Sequence, residues 1–308
     1  MHPAFSIIIF TTLSGLGYGL AAVLGLGLLD PAALATKSAH LLALALISCG
    51  LIASTLHLRN PQRAWRALSQ WRSSWLSREG VMAMLTFPPL LWSAWASLVD
   101  GRYLAVPGLL GAILCAVTVY CTAMIYASLK SVQAWHTPLT PLCYLLFAAS
   151  GGLVLASFFA FAGGGSTIIV PLMAALFTLA AWTAKTFWRH RMRTKRPVST
   201  PESATGLGFI GRVRLFERPH VNENYLTNEM GYRIGRKHAA KLAVLAIIAG
   251  GVAPALILAG LVALEAEAGW GAASLTLVAA IFHAAGVLTE RWLFFAEARH
   301  AVMNYYDG

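Results

Sequence analysis

Two short stretches of this chain carry polar side chains suited to proton-coupled redox chemistry: His57 with Arg59, and Ser77 with Glu79. Histidine titrates near neutral pH, so it can hydrogen-bond a carbonyl oxygen and also exchange a proton with it. A neighbouring carboxylate can orient the ring or pass its protons on. A quinone site needs such groups at the mouth of an apolar slot that takes the tail. His57 and Glu79 are therefore the candidate catalytic pair, and His57, Arg59, Ser77 and Glu79 the candidate quinone-binding set. The same residues also have a plainer use. Ser77 can cap the helix that starts there, Glu79 in its first turn suits the helix dipole, and His57 is an interfacial polar group.

A second polar pair, His283 and Glu290, sits in the last apolar run, seven residues apart on one helix face. Ionisable groups inside a membrane are functional candidates, here a possible proton route. Alternatively, Glu290 and Arg291 lie near the end of that run and pair with each other. Cys49, Cys115, Cys121 and Cys143 lack CxxC spacing and sit in apolar segments. They read as packing thiols, with no metal site in this chain. Gly15-Leu-Gly-Tyr-Gly19 looks like a nucleotide loop, but it lies inside an apolar run with no strand before it. Gly15 and Gly19, with Gly25 and Gly27, are spaced for close helix packing.

The elements that position these residues are membrane helices. The chain is 58% apolar and only 11% charged, where a soluble domain averages about 25% charged. A span needs about 20 apolar residues. Eight runs qualify: 5–29, 39–58, 80–99, 104–129, 140–162, 168–188, 241–264 and 270–296. The fold class expected is an all-α integral membrane protein, with residues 1–308 forming a single polytopic domain. The first run has no Lys or Arg before it and reads as a retained span rather than a signal peptide.

Of the 23 Lys and Arg, all but Lys37 and Arg102 fall on one side of such an arrangement. Positive residues stay cytoplasmic, so both termini are expected in the cytoplasm of a bacterial inner membrane protein. The net charge of +11 reflects that bias and gives no reason to expect nucleic acid. Two long connections lie on the basic side. Residues 59–79 mix five arginines with Trp65, Trp71 and Trp75, a composition suited to lying along the interface. Residues 189–240 open on a basic run and continue into the aromatic and charged segment 216–233. So long a connection in a compact bundle points to a docking surface for a partner.

The stretch Leu51-Ile-Ala-Ser-Thr-Leu-His-Leu-Arg-Asn-Pro-Gln-Arg-Ala, followed by Leu76-Ser-Arg-Glu, resembles the membrane anchor of the dimethyl sulfoxide reductase family. There a Ser-Thr-x-His-Leu-Gly-x-Pro-x-Arg-Ala motif precedes Leu-Ser-x-Glu. Arg59 departs from it, standing where glycine is frequent. The opening Met-His-Pro-Ala-Phe-Ser and the segment Phe216-Glu-Arg-Pro-His are similar to a branch associated with cytoplasmic sulfite dehydrogenase. The resemblance implies a three-subunit enzyme. A molybdopterin subunit handles the substrate, electrons pass through a ferredoxin-like iron–sulfur subunit, and a haem-free anchor exchanges them with ubiquinone or menaquinone. It also implies quinone-site roles for His57 and Glu79. The basic side holds the His57 connection, which favours cytoplasmic catalytic partners and electron flow from sulfite to quinone.

Three other readings compete. The same anchor could serve a dimethyl sulfoxide or related reductase, with electrons leaving quinol. A haem-b anchor needs facing histidine pairs, yet only His283 is deep, while His40 and His57 mark opposite ends of one span. A transporter is expected to show related halves and polar groups at mid-membrane, and neither is evident.

Overall fold

The computed structural model describes residues 3–56, 60–195, 197, 199–214, 216–217 and 237–305. Eight long apolar helices appear among them: α1 (Phe5–Gly25), α2 (Leu34–Thr55), α3 (Trp75–Asp100), α4 (Ala105–Ala127), α5 (Leu139–Gly164), α6 (Ile169–Thr194), α7 (Ala239–Ala263) and α8 (Trp270–Ala296). Each is long enough to cross a bilayer. The expected all-helical, eight-span architecture is therefore present. The chain enters and leaves the bundle at the end where the arginine-rich connections lie.

Helix α1 forms the centre. It packs on α2, α4, α5 and α8. In its most apolar stretch 72% of residues are buried, against 28% in α2. Glycines make this crowding possible, Gly19 and Gly25 as expected, with Gly17 in place of Gly15. A methyl group on Gly15 would meet nothing, whereas Gly17 abuts Ile47 of α2 and Gly19 abuts Ala148 and Gly152 of α5. Without a hydrophobic drive between helices in lipid, such close backbone approach is a main source of association. The two small faces lie on different sides of α1 and let it contact two neighbours at once.

Several boundaries differ from the sequence expectation. Helix α6 continues through Thr194, so most of the basic run at 189–196 is helical. Arg191 and Arg193 occupy its last turn, where cations suit the helix dipole. Helix α3 begins at Trp75. Residues 61–70 form a 3-10 helix on which Trp65 is exposed, and Trp71 just beyond it is exposed too. Arg66 and Arg72 lie over those indoles, as suits an interfacial segment. At the opposite end, Gly101 takes the left-handed conformation (φ 62°) that closes α3, a position where glycine avoids a Cβ penalty. Within the connection singled out for docking, 189–240, residues 196, 198, 215 and 218–236 lie outside the described residues.

Candidate functional site

The start of α3 sets the geometry. The cap is Ser74, whose hydroxyl accepts from the Ser77 amide at 3.4 Å. The expectation that Ser77 caps is thus corrected. Ser77 is instead 1% exposed, and its hydroxyl has no hydrogen-bond partner among the described residues. Arg78 fastens the preceding connection: Nε donates to the Trp71 carbonyl at 2.9 Å, a terminal nitrogen donates to the Arg72 carbonyl at 2.6 Å, and the guanidinium lies over Trp75.

Glu79 lies beyond the first turn of α3, so the helix dipole does not account for it. It is 6% exposed and points at α4, where Thr122 Oγ1 donates to its carboxyl at 2.5 Å. The same hydroxyl also lies 3.1 Å from the Thr118 carbonyl. Thr118 Oγ1 in turn meets Thr86 Oγ1 of α3 at 3.1 Å. The result is a continuous polar seam, Glu79–Thr122–Thr118–Thr86, between two apolar helices. Burying a carboxyl in such surroundings is costly unless it is hydrogen-bonded. The seam supplies that bond in either charge state. As a carboxylate, Glu79 accepts from Thr122. As an acid, it can donate to Thr122 while Thr122 donates to Thr118.

Neither α4 threonine was singled out from sequence. The available signal was a small and polar stripe (Gly108, Gly111, Cys115, Thr118, Thr122) at three- and four-residue spacing. His57 and Arg59 lie outside the described residues. The residues flanking them are Leu56, which caps α2, and Asn60, which precedes the 3-10 helix.

The second candidate pair is not brought together. His283 is 1% exposed and held on both ring nitrogens: Nδ1 is 2.6 Å from the Gly250 carbonyl and Nε2 is 3.3 Å from Ser150 Oγ. Gly250 belongs to a π turn in α7, Ile248–Val252. The histidine therefore ties α5, α7 and α8 together. Glu290 has different partners. Lys185 of α6 reaches its carboxyl at 2.6 Å and Arg291 at 3.5 Å, all three being buried. Lys185 also sits over the Trp188 ring at 3.5 Å, and Arg291 over Tyr144 at 3.7 Å. Beside this charged group lies an aromatic cluster of Tyr126, Trp135, Tyr144, Phe294 and Phe295.

Cys115, Cys121 and Cys143 are buried free thiols, and Cys49 is an exposed one. Among the described residues, no group of three His, Cys, Asp or Glu side chains could hold a metal ion.

Eight apolar helices with α1 at their centre, and a carboxyl buried just inside an interfacial connection, define a polytopic membrane subunit. The DMSO reductase anchor subunit family (DmsC) matches residues 1–296. The chain belongs to that family and is a membrane anchor of an oxidoreductase. It is 33% identical to one of the subunits of the sulfite dehydrogenase of Allochromatium vinosum, over all of this chain and 99% of that protein. No solved structure matches the chain.

Proposed function

We propose that this chain is the quinone-reactive anchor of a molybdopterin and iron–sulfur oxidoreductase that oxidises sulfite. The observation that carries the reading is Glu79, a buried carboxyl with a hydrogen-bond partner in either protonation state, one helical turn inside the connection that holds His57. Quinone reduction takes up two protons with two electrons, so a site at this depth needs a group that moves protons inward. Glu79 fills that role and His57 binds the carbonyl oxygen. Ser77, with its unpartnered buried hydroxyl, and Arg59 shape the mouth. The sequence similarity to a sulfite dehydrogenase subunit favours sulfite as the electron source. Sulfite and water then yield sulfate, two protons and two electrons in the molybdopterin subunit, and the electrons reach quinone through the iron–sulfur subunit.

On this reading the arginine-rich end faces the cytoplasm of a bacterial inner membrane, and the connection 59–79 with the 216–233 part of the connection 189–240 seats the iron–sulfur subunit. Glu290, joined to Lys185, and His283, bonded to Gly250 and Ser150, remain the possible proton route. The family's description, a DMSO reductase anchor subunit, favours a second reading, in which electrons would leave quinol for a sulfoxide.

The test is sulfite-dependent reduction of a ubiquinone analogue by membranes with and without the chain. Activity lost without the chain, with sulfite oxidation by a soluble acceptor retained, is the expected result. No sulfite-driven reduction in membranes containing the assembled complex would transfer the assignment to the reductase, and sulfoxide would be the next substrate.

A further inference from the structure

A cavity of about 430 Å³ opens at the arginine-rich end, away from Glu79. Its walls are the α4–α5 connection, the last turns of α6 and the segment after α8. Five cationic side chains line it: Lys130, Arg191, Arg193, Lys195 and Arg299. Among the described lining residues, the one carboxylate is Glu297. That carboxylate is already engaged by Arg189 at 2.7 Å and by Arg193 at 3.6 Å. Lys130, Arg191 and Lys195 have no acidic partner among the described residues. The cavity thus concentrates positive charge beyond what its own acid can balance.

Positive residues at helix ends are ordinary in a membrane protein, and by themselves they orient it. Here they surround a built concavity. The Ala301 amide donates to the Ser131 carbonyl at 2.8 Å, joining the C-terminal segment to the α4–α5 connection. Asn304 donates to the Ser199 carbonyl and hydroxyl, both at 3.1 Å, closing another side. His136 is held through Nδ1 by the Ala127 carbonyl at 2.7 Å, which leaves Nε2 available. Trp188 and Met192 add an apolar wall. The cavity lies where α4, α6 and α8 end, which is the height of the lipid headgroups for helices of this length. Basic pockets between membrane helices at that height are matched to acidic headgroups. The space is of small-ligand size, which suits a headgroup better than a protein segment.

We infer that this cavity binds the phosphate-bearing headgroup of an acidic phospholipid. The lipid would bridge the three pieces that form its walls: α6, the C-terminal segment and the α4–α5 connection.

The experiment uses the purified complex, stripped of lipid and returned to nanodiscs. Phosphatidylcholine alone is compared with phosphatidylcholine plus phosphatidylglycerol or cardiolipin. Expected are a higher melting temperature of this chain with the acidic lipids and lipid retained in native mass spectra. The triple change Lys130→Gln, Arg191→Gln and Lys195→Gln should weaken retention about 10-fold or more. Arg212→Gln with Arg214→Gln, exposed cations outside the cavity, should leave it unchanged. Equal retention by the wild type and the triple variant would overturn the inference. So would equal melting temperatures of the wild type with acidic and neutral lipid, a readout that needs no variant. Stabilisation by inorganic phosphate at matched concentration would reassign the site to a free anion and overturn the lipid assignment. Displacement of the lipid on addition of an acidic peptide, without loss of stability, would assign it to a protein partner instead.

Discussion

Glu79 and Glu290 show how two buried carboxyls in one bundle acquire different characters. Among the described residues Glu79 is bonded by the Thr122 hydroxyl, so it can be neutral or charged without losing that bond. Glu290 instead faces two cationic side chains, Lys185 and Arg291. A carboxyl used in proton transfer should tolerate loss of charge poorly in rate but well in stability. Glu79→Gln is expected to lower quinone reduction by about 100-fold, within the usual span of general acid–base contributions, while the melting temperature changes little. The comparison is quinone-analogue reduction against soluble-acceptor activity on the same membranes, and an unchanged ratio would remove Glu79 from the site. Lys185→Met should act in the opposite sense. Removing one member of a buried pair costs about 3–5 kcal/mol, since the remaining charge stays buried. A large fall in thermal stability in detergent is expected, and Lys185→Met combined with Glu290→Gln should recover part of it.

At the level of elements, the entry to α3 is the critical junction. Ser74 stops the connection and Arg78 clamps it through two backbone carbonyls. Together they place Glu79 inward, one turn along. Ser74→Ala removes the cap and should cost about 1 kcal/mol of local helix stability, whereas Ser77→Ala should cost no capping energy. Hydrogen exchange at amides 75–80 distinguishes the two: faster exchange in the Ser74 variant alone is expected. The α1 glycines work on a larger element. They bring α1 against α2 and α5 closely enough for its interior to hold Tyr18, Thr12 and Ser14 as buried polar residues.

For the whole molecule, one end gathers the interfacial 3-10 helix, the basic cavity and the connection after α6, while the other has short turns. At that short-turn end Leu29 pairs with Gly165, and the Asp30 amide donates to the Gly164 carbonyl at 2.6 Å. On the proposed reading the first is the docking end. If the positive-inside reading holds, a cysteine placed at Arg102 should react with an impermeant maleimide from the periplasm, and one at Ser199 should not. The reverse pattern would put the catalytic partners outside and favour the reductase reading.

The sequence alone was enough to determine the number of spans, the unequal distribution of Lys and Arg, and the family motif around His57 and Glu79. Each of these is a local or additive property, readable from hydropathy and residue type along the chain. Only the tertiary structure decided that Gly17 rather than Gly15 packs, that Ser74 rather than Ser77 caps, that Thr122 answers Glu79 and that Lys185 answers Glu290. The reason lies in the solvent. In water the polar face of a helix marks the outside, so the pattern points each side chain inward or outward. In lipid both faces are apolar, and the sequence of a span carries little information about which neighbour it meets. That choice rests on close packing and on the few buried polar groups that must find partners across the bundle.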